Sequence, residues 1–280
     1  MCLVGFALDA HETLAFVVAA NRDEYYARET APAAWWDDTH TIFGGRDLRA
    51  GGTWLAIDRR GRFAAVTNVR EPDPASGPRS RGALVAGFVG GSEPAHEYAE
   101  RILANGDEYA GFNLLLVDLA AAQPALFVSN RDPQRIFAPR SGVHAWSNGK
   151  LDSRWPKVLH LRDRLAHGLD APTRQLGPML FDALADRTTP DDSRLPETGV
   201  GVARERMLAP AMIFAPELGY GTRASTIIAV RRDGRVVFVE RSWAPQGDML
   251  RYAGERRVRF RLAPGTVEAL GRRAAGSRAH

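Results

Sequence analysis

Two apolar runs open the chain, residues 2–8 and 14–20, with only a short polar segment containing Asp9, His11, Glu12 and Thr13 between them. Each run has strand length, and the polar segment has the character of a turn, so the chain is expected to begin as a β-hairpin. The same logic gives a second hairpin from 54–57 and 63–69 around the polar turn 58–61. A third joins 225–230 to 235–239 around 231–234. Residues 112–119 and 125–129 read as two further strands joined by a turn.

Helical spacing is found at 81–89, 94–103, 155–165 and 176–184, with Pro94 a credible helix start. Pro72, Pro74 and Pro78 mark 71–80 as a loop, and 188–196 is polar and turn-rich. Strands therefore come as antiparallel hairpins towards both ends, with helices grouped between them. There is no βαβ alternation and no repeat. The expected class is α+β, with antiparallel sheets and helices packed outside. No linker divides the chain, so a single domain over 1–263 is expected, followed by an Arg-, Ala- and Gly-rich tail over 264–280 that frays.

Composition excludes several classes. Of the 280 residues 45% are hydrophobic and 25% charged, which is ordinary for a folded domain. The apolar run at 112–119 is interrupted by Asn113 and Asp118, far short of the ~18 residues of a membrane span. Residues 1–9 lack the basic start and long apolar stretch of a signal peptide. A soluble, cytoplasmic protein is expected. The net charge of +4 is concentrated at the end, where residues 251–280 hold eight arginines against Glu255 and Glu268. That imbalance is a poor sign of nucleic-acid binding, which needs a basic face interleaved with aromatics. Lys150 and Lys157 are the only lysines among 37 basic residues, a bias read here as the mark of a GC-rich bacterial genome.

The single cysteine, Cys2, excludes an internal disulfide and a multi-cysteine zinc site. His160 and His167 share a helical face without an acidic ligand beside them, so no metal site is expected, and no cofactor motif is present. Initiator methionine is usually removed before a small residue, which would make Cys2 the mature terminus. An N-terminal cysteine carries its own base, because its α-amine titrates near 7.7–8.0 and its thiol near 8.5. The other reading of Cys2 is a small apolar residue in the first strand. Asn21-Arg22-Asp23-Glu24 follows the second run directly. The hairpin can bring Asp23 beside Cys2, where a carboxylate would hold the amine and a guanidinium would favour thiolate. A solvated turn with an internal ion pair is the plainer alternative. Trp35-Trp36, placed in a loop between hairpins, could line a lipophilic pocket or cover the core edge.

Cys2, the 21–24 block, Ala50-Gly51-Gly52-Thr53-Trp54, Thr67-Asn68-Val69-Arg70, Gly111-Phe112-Asn113-Leu114, Ser147-Asn148-Gly149 with Leu151-Asp152 and Trp155-Pro156-Lys157, and Tyr220-Gly221-Thr222-Arg223 occur in this order. In this the sequence is similar to the NRDE, or transport and Golgi organisation, family over about residues 2–245. More distantly it resembles the N-terminal-nucleophile (Ntn) cysteine hydrolases, which implies a four-layer α/β/β/α sandwich. The resemblance also implies site roles: Cys2 as nucleophile, Asp23 on its amine, Asn68 and Asn148 as oxyanion donors, and Arg223 near the sulfur. Asn21, Arg22, Trp35 and Trp36 are candidate binding residues. The hydrolases carry their first arginine before the asparagine, where this chain has Ala20; here the arginine is Arg22. The implied activity is hydrolysis of a small lipophilic acyl amide. The competing expectations are a binding or trafficking protein for a hydrophobic ligand such as haem, lipid or acyl-CoA, and a structural interaction protein.

Overall fold

The computed structural model describes residues 2–72, 77–131 and 136–268. In chain order the strands are β1 (Cys2–Leu8), β2 (Leu14–Tyr25), β3 (Thr30–Trp35), β4 (Ile42–Asp47), β5 (Leu55–Asp58), β6 (Arg62–Asn68) and β7 (Phe112–Asp118). They continue as β8 (Ala125–Ser129), β9 (Ile136–Phe137), β10 (Gly142–Trp146), β11 (Phe214–Ala215), β12 (Tyr220–Arg231), β13 (Arg235–Gln246) and β14 (Met249–Arg261). The helices are α1 (Gly82–Gly90), α2 (Ala95–Ala104), α3 (Pro156–Asp170), α4 (Thr173–Leu184) and α5 (Val202–Leu208).

Two antiparallel sheets result. One has the order β10-β1-β2-β12-β13-β14, with β11 also paired to β12; the other runs β3 through β9 in sequence. Strand alternation fixes which residues each face buries. Cys2, Val4, Phe6 and Leu8 of β1 and Phe16, Val18 and Ala20 of β2 point into the layer between the sheets, meeting Phe43, Phe63, Phe127 and Trp146. Leu3, Ala7, Val17 and Ala19 point the other way and pack with Leu161, Leu165, Leu176 and Leu180 of α3 and α4. On the far side of the second sheet, α1 and α2 contribute Leu84, Phe88, Tyr98 and Ile102 to a third apolar layer. The architecture is therefore the four-layer α/β/β/α sandwich. Truncating a fully buried ring of the middle layer, such as Phe16, would cost about 3–5 kcal/mol.

The close seating of α3 needs Gly5, where a Cβ would lie 3.0 Å from Leu161 Cγ. No helix among the described residues is long and apolar enough to cross a membrane.

The structure adds to the sequence reading in four places. β2 does not stop at Ala20 but continues through the polar block to Tyr25, because β12 pairs with it along that length. The stretch before Trp36 is not a loop: β3 and β4 form another hairpin, and Trp35 ends β3. The basic 251–261 segment belongs to the edge strand β14, paired with β13 on both sides of a bulge at Ala253. Residues 264–267 form a turn whose Thr266 and Val267 are buried, while 269–280 of the expected tail lie outside the described residues.

Candidate active site

The first ladder sets the site. Cys2 pairs directly with Arg22 in the β1–β2 register, so both side chains leave the sheet on the inter-sheet face. Asp23, one residue on, belongs to the opposite face; its Oδ1 accepts a 2.7 Å hydrogen bond from Thr222 Oγ1. Asn21 shares that face. Its amide donates to the carbonyls of Leu184 and Ala211, and its Oδ1 accepts from Ser225 Oγ, so Asn21 ties β2 to the end of α4.

Cys2 lies at the wall of a cavity of about 340 Å³. Arg22, Asp23, Glu24, Arg28, Asp47, Thr67, Asn68, Arg79 and Arg81 supply most of its polar lining, and Trp54, Val66 and Pro78 its apolar part. Burial raises the Cys2 thiol pKa above its ordinary value, and the charge of Asp23 adds to this. The charge of the terminal amine, a backbone hydrogen bond from Asp23 and then Arg22 pull the other way.

The wall opposite β1 is built by glycine contact. A Cβ on Gly52 would lie 2.5 Å from the Gly82 carbonyl carbon, so only glycine lets the chain before β5 touch the start of α1. Thr53 N–H donates to Gly82 O at 3.2 Å across this contact. The close approach brings Arg81 and the α1 N-terminus to the cavity.

At the third edge, β6 is stitched to the segment after β10. Thr67 Oγ1 donates to Ser147 O at 2.6 Å, Asn148 Nδ2 donates to Asn68 O at 3.0 Å, and Arg70 N–H donates to Asn148 O at 2.8 Å. Ser147 Oγ in turn donates to Cys2 O at 2.7 Å. Asn68 thus borders the cavity, whereas Asn148 stands behind it with its amide engaged.

Arg223 is not among the residues lining the cavity that Cys2 borders. A register shift between Thr222 and Ala224 bulges it out of the ladder. Its Nη1 donates to the carbonyls of Tyr25, Tyr26 and Arg28. Trp35 and Trp36 do not line the cavity. Trp35 packs on Phe43 and Phe260, and Trp36 is buried in the layer beneath α1.

Sequence reasoning did not single out the charges behind Asp23. Lys157 on α3 is buried, donates to Leu208 O at 2.8 Å, and has its pKa lowered to about 8 by burial and by Arg70. Arg70 forms a buried ion pair with Glu205 of α5 and stacks 4.7 Å over Trp155. Burial raises the Asp23 pKa, while Lys157 and the Thr222 hydroxyl oppose the rise. Lys157 and Arg70 both stood in recognisable blocks; only their convergence was hidden.

The fold and site define a class: an α/β/β/α sandwich whose first inner strand begins with a cysteine, open to a charged cavity. Within that class the chain belongs to the Transport and Golgi organisation 2 family, whose model matches residues 1–245. It is 31% identical over 256 residues to the human Transport and Golgi organization protein 2 homolog, covering 86% of this chain and 93% of the relative. The Bos taurus homolog is 30% identical over 262 residues with the same coverage. The Drosophila melanogaster protein is 30% identical over 266 residues, covering 86% and 91%. These relatives and the mouse homolog are eukaryotic, which corrects the bacterial source read from the arginine bias. Among solved structures, a Caenorhabditis elegans N-acylethanolamine-hydrolyzing acid amidase ortholog is similar at 9% identity and a TM-score of 0.38, covering 81% of this chain and 92% of its own. A mutant conjugated bile acid hydrolase from Clostridium perfringens is similar at 8% identity and 0.41, covering 93% and 97%.

Proposed function

We propose that this protein is a cysteine amide hydrolase of the N-terminal-nucleophile type, acting on a non-peptide carbon–nitrogen bond of a small lipophilic acyl amide. The observation that carries the reading is the Cys2 thiol at the cavity wall, directly opposite Arg22 and followed on β2 by Asp23. Removal of Met1 frees the Cys2 α-amine, which takes the thiol proton, and Asp23 holds the resulting ammonium. The thiolate attacks the amide carbonyl to give a tetrahedral oxyanion. The backbone N–H of Asn68 and the Asn148 amide are its donors, the latter by turning from Asn68 O. Collapse breaks the C–N bond, the amine leaves with the proton, and water then hydrolyses the thioester. Trp54, Val66 and Pro78 form the wall against which an acyl chain lies. The reading places the protein in the cytoplasm, where a terminal thiol stays reduced.

A second reading, a non-catalytic carrier of a hydrophobic ligand such as haem, lipid or acyl-CoA, is favoured by one observation. The Asn148 amide is already engaged and Arg223 is turned away, leaving fewer donors at the sulfur. Hydrolysis of a panel of N-acyl amides by wild type and Cys2→Ala separates the two. Release of amine by wild type alone supports the hydrolase. A ligand that co-purifies equally with both proteins, without turnover, supports the carrier.

A further inference from the structure

Four guanidinium groups line the cavity, and they are not equally compensated. Arg28 donates from Nε and Nη2 to Asp47 Oδ2, both at 2.7 Å. Arg79 pairs with Glu108 at 3.0 Å. Arg22 is 5% exposed and makes a loose ion pair with Glu24 Oε2 at 3.7 Å, and its buried Nη1 has no hydrogen-bond partner among the described residues. Arg81, half-buried, donates from Nη1 to the neutral carbonyl of Gly111 at 3.1 Å; among the described residues no carboxylate stands within ion-pair distance of it, and Glu24 and Glu71 act on it only from further off. A buried donor left unmade forfeits the desolvation already spent on it, which is the case of Arg22 Nη1. Both groups lie at the wall that holds Cys2. Arg22 acts electrostatically on the thiol, and the thiol acts on Arg81. Arg81 also stands at the N-cap of α1, a nine-residue helix whose positive end borders the same space.

We infer that the cavity takes a ligand carrying an anionic group, a carboxylate or a phosphate, received by Arg22 Nη1 and Arg81, with the acyl part on the Trp54 side. The inference rests on the cavity being the ligand site, as the proposed function has it. It adds that the substrate is amphiphilic: apolar at one end and acidic at the other. Arg favours such a group because its fork matches two oxygens at once.

The test uses Cys2→Ala protein, so that binding is read without turnover and apart from any effect of the arginines on the thiolate. Four probes are titrated by calorimetry: N-hexanoylglycine, its methyl ester, N-hexanoyl-O-phosphoethanolamine and N-hexanoylethanolamine. The expected result is that at least one anionic probe binds about tenfold or more tightly than its neutral twin. Which one does so separates carboxylate from phosphate. Adding Arg81→Gln or Arg22→Gln should abolish that preference and leave the neutral probes unchanged, and Arg81→Lys should restore part of it. If no anionic probe exceeds its neutral twin, or if the preference survives both glutamine variants, the inference is wrong. The first comparison needs no arginine variant, so it stands even where a variant fails to fold. Acylation of Cys2 by a neutral electrophile tests the hydrolase separately, so the two can fail independently.

Discussion

Cys2 and Arg22 stand directly opposite one another in the β1–β2 ladder, and this pairing makes the arginine, not the neighbouring aspartate, the residue that shares the inter-sheet face with the sulfur. The guanidinium favours the thiolate against the burial that opposes it. Arg22→Gln should therefore raise the thiol pKa. The pH profile of Cys2 alkylation by iodoacetamide should move to higher pH, with a rate near pH 7.5 about 3–10-fold lower. An unmoved profile would mean that Arg22 has no electrostatic hold on the thiol.

Arg223 lies in the bulge of β12 and binds three carbonyls of the 25–28 turn. Arg223→Ala should cost about 1–3 kcal/mol of stability through those lost bonds, visible in urea denaturation. The alkylation profile of Cys2 should stay where it is. A shifted profile would restore Arg223 to the neighbourhood of the sulfur.

Asn148 holds the Asn68 carbonyl, while Asn68 borders the cavity. Asn148→Ala should lower stability by about 1 kcal/mol. In the hydrolase it should also reduce turnover by about 10²–10³, because an oxyanion donor goes with it. Full turnover in a folded Asn148→Ala protein would remove Asn148 from the reaction.

Lys157 carries the pH prediction. Its folded pKa of about 8 lies below its ordinary value of 10.5, so from pH 8 to 10.5 the unfolded chain binds more protons than the folded one. Stability should rise with pH across that window, by up to about 3 kcal/mol, and be lowest on this account below pH 8, where both states are protonated. Lys157→Met, which removes the group, should flatten the rise. An identical pH slope in the variant would show that Lys157 is not the titrating residue.

Much of this was legible in the sequence. The three hairpins were visible because apolar strands alternate with polar turns, but the first was read as bringing Asp23 beside Cys2, whereas its register sets Arg22 opposite the cysteine. β14 was hidden because an edge strand can place arginine at nearly every position; Arg251, Arg256, Arg257, Arg259 and Arg261 read as a basic tail rather than as a ladder. β3 and β4 were missed because the register shift between Ala31 and Ala34 breaks the alternation. Arg223 sits in a bulge of β12, which leaves no local mark in sequence. Arg81 gave no signal, since one arginine before a helix is common; it matters only because Gly52 and Gly82 touch.

The central claim is that mature Cys2 is a nucleophile open to the cavity. Intact-mass measurement of the purified protein, before and after incubation with an electrophilic acyl ester, tests it most directly. The account predicts a starting mass lacking Met1, then a single added acyl group that peptide mapping assigns to Cys2 and that Cys2→Ala does not acquire. A retained Met1, or a Cys2 that stays unmodified while the ester is present in excess, would contradict it.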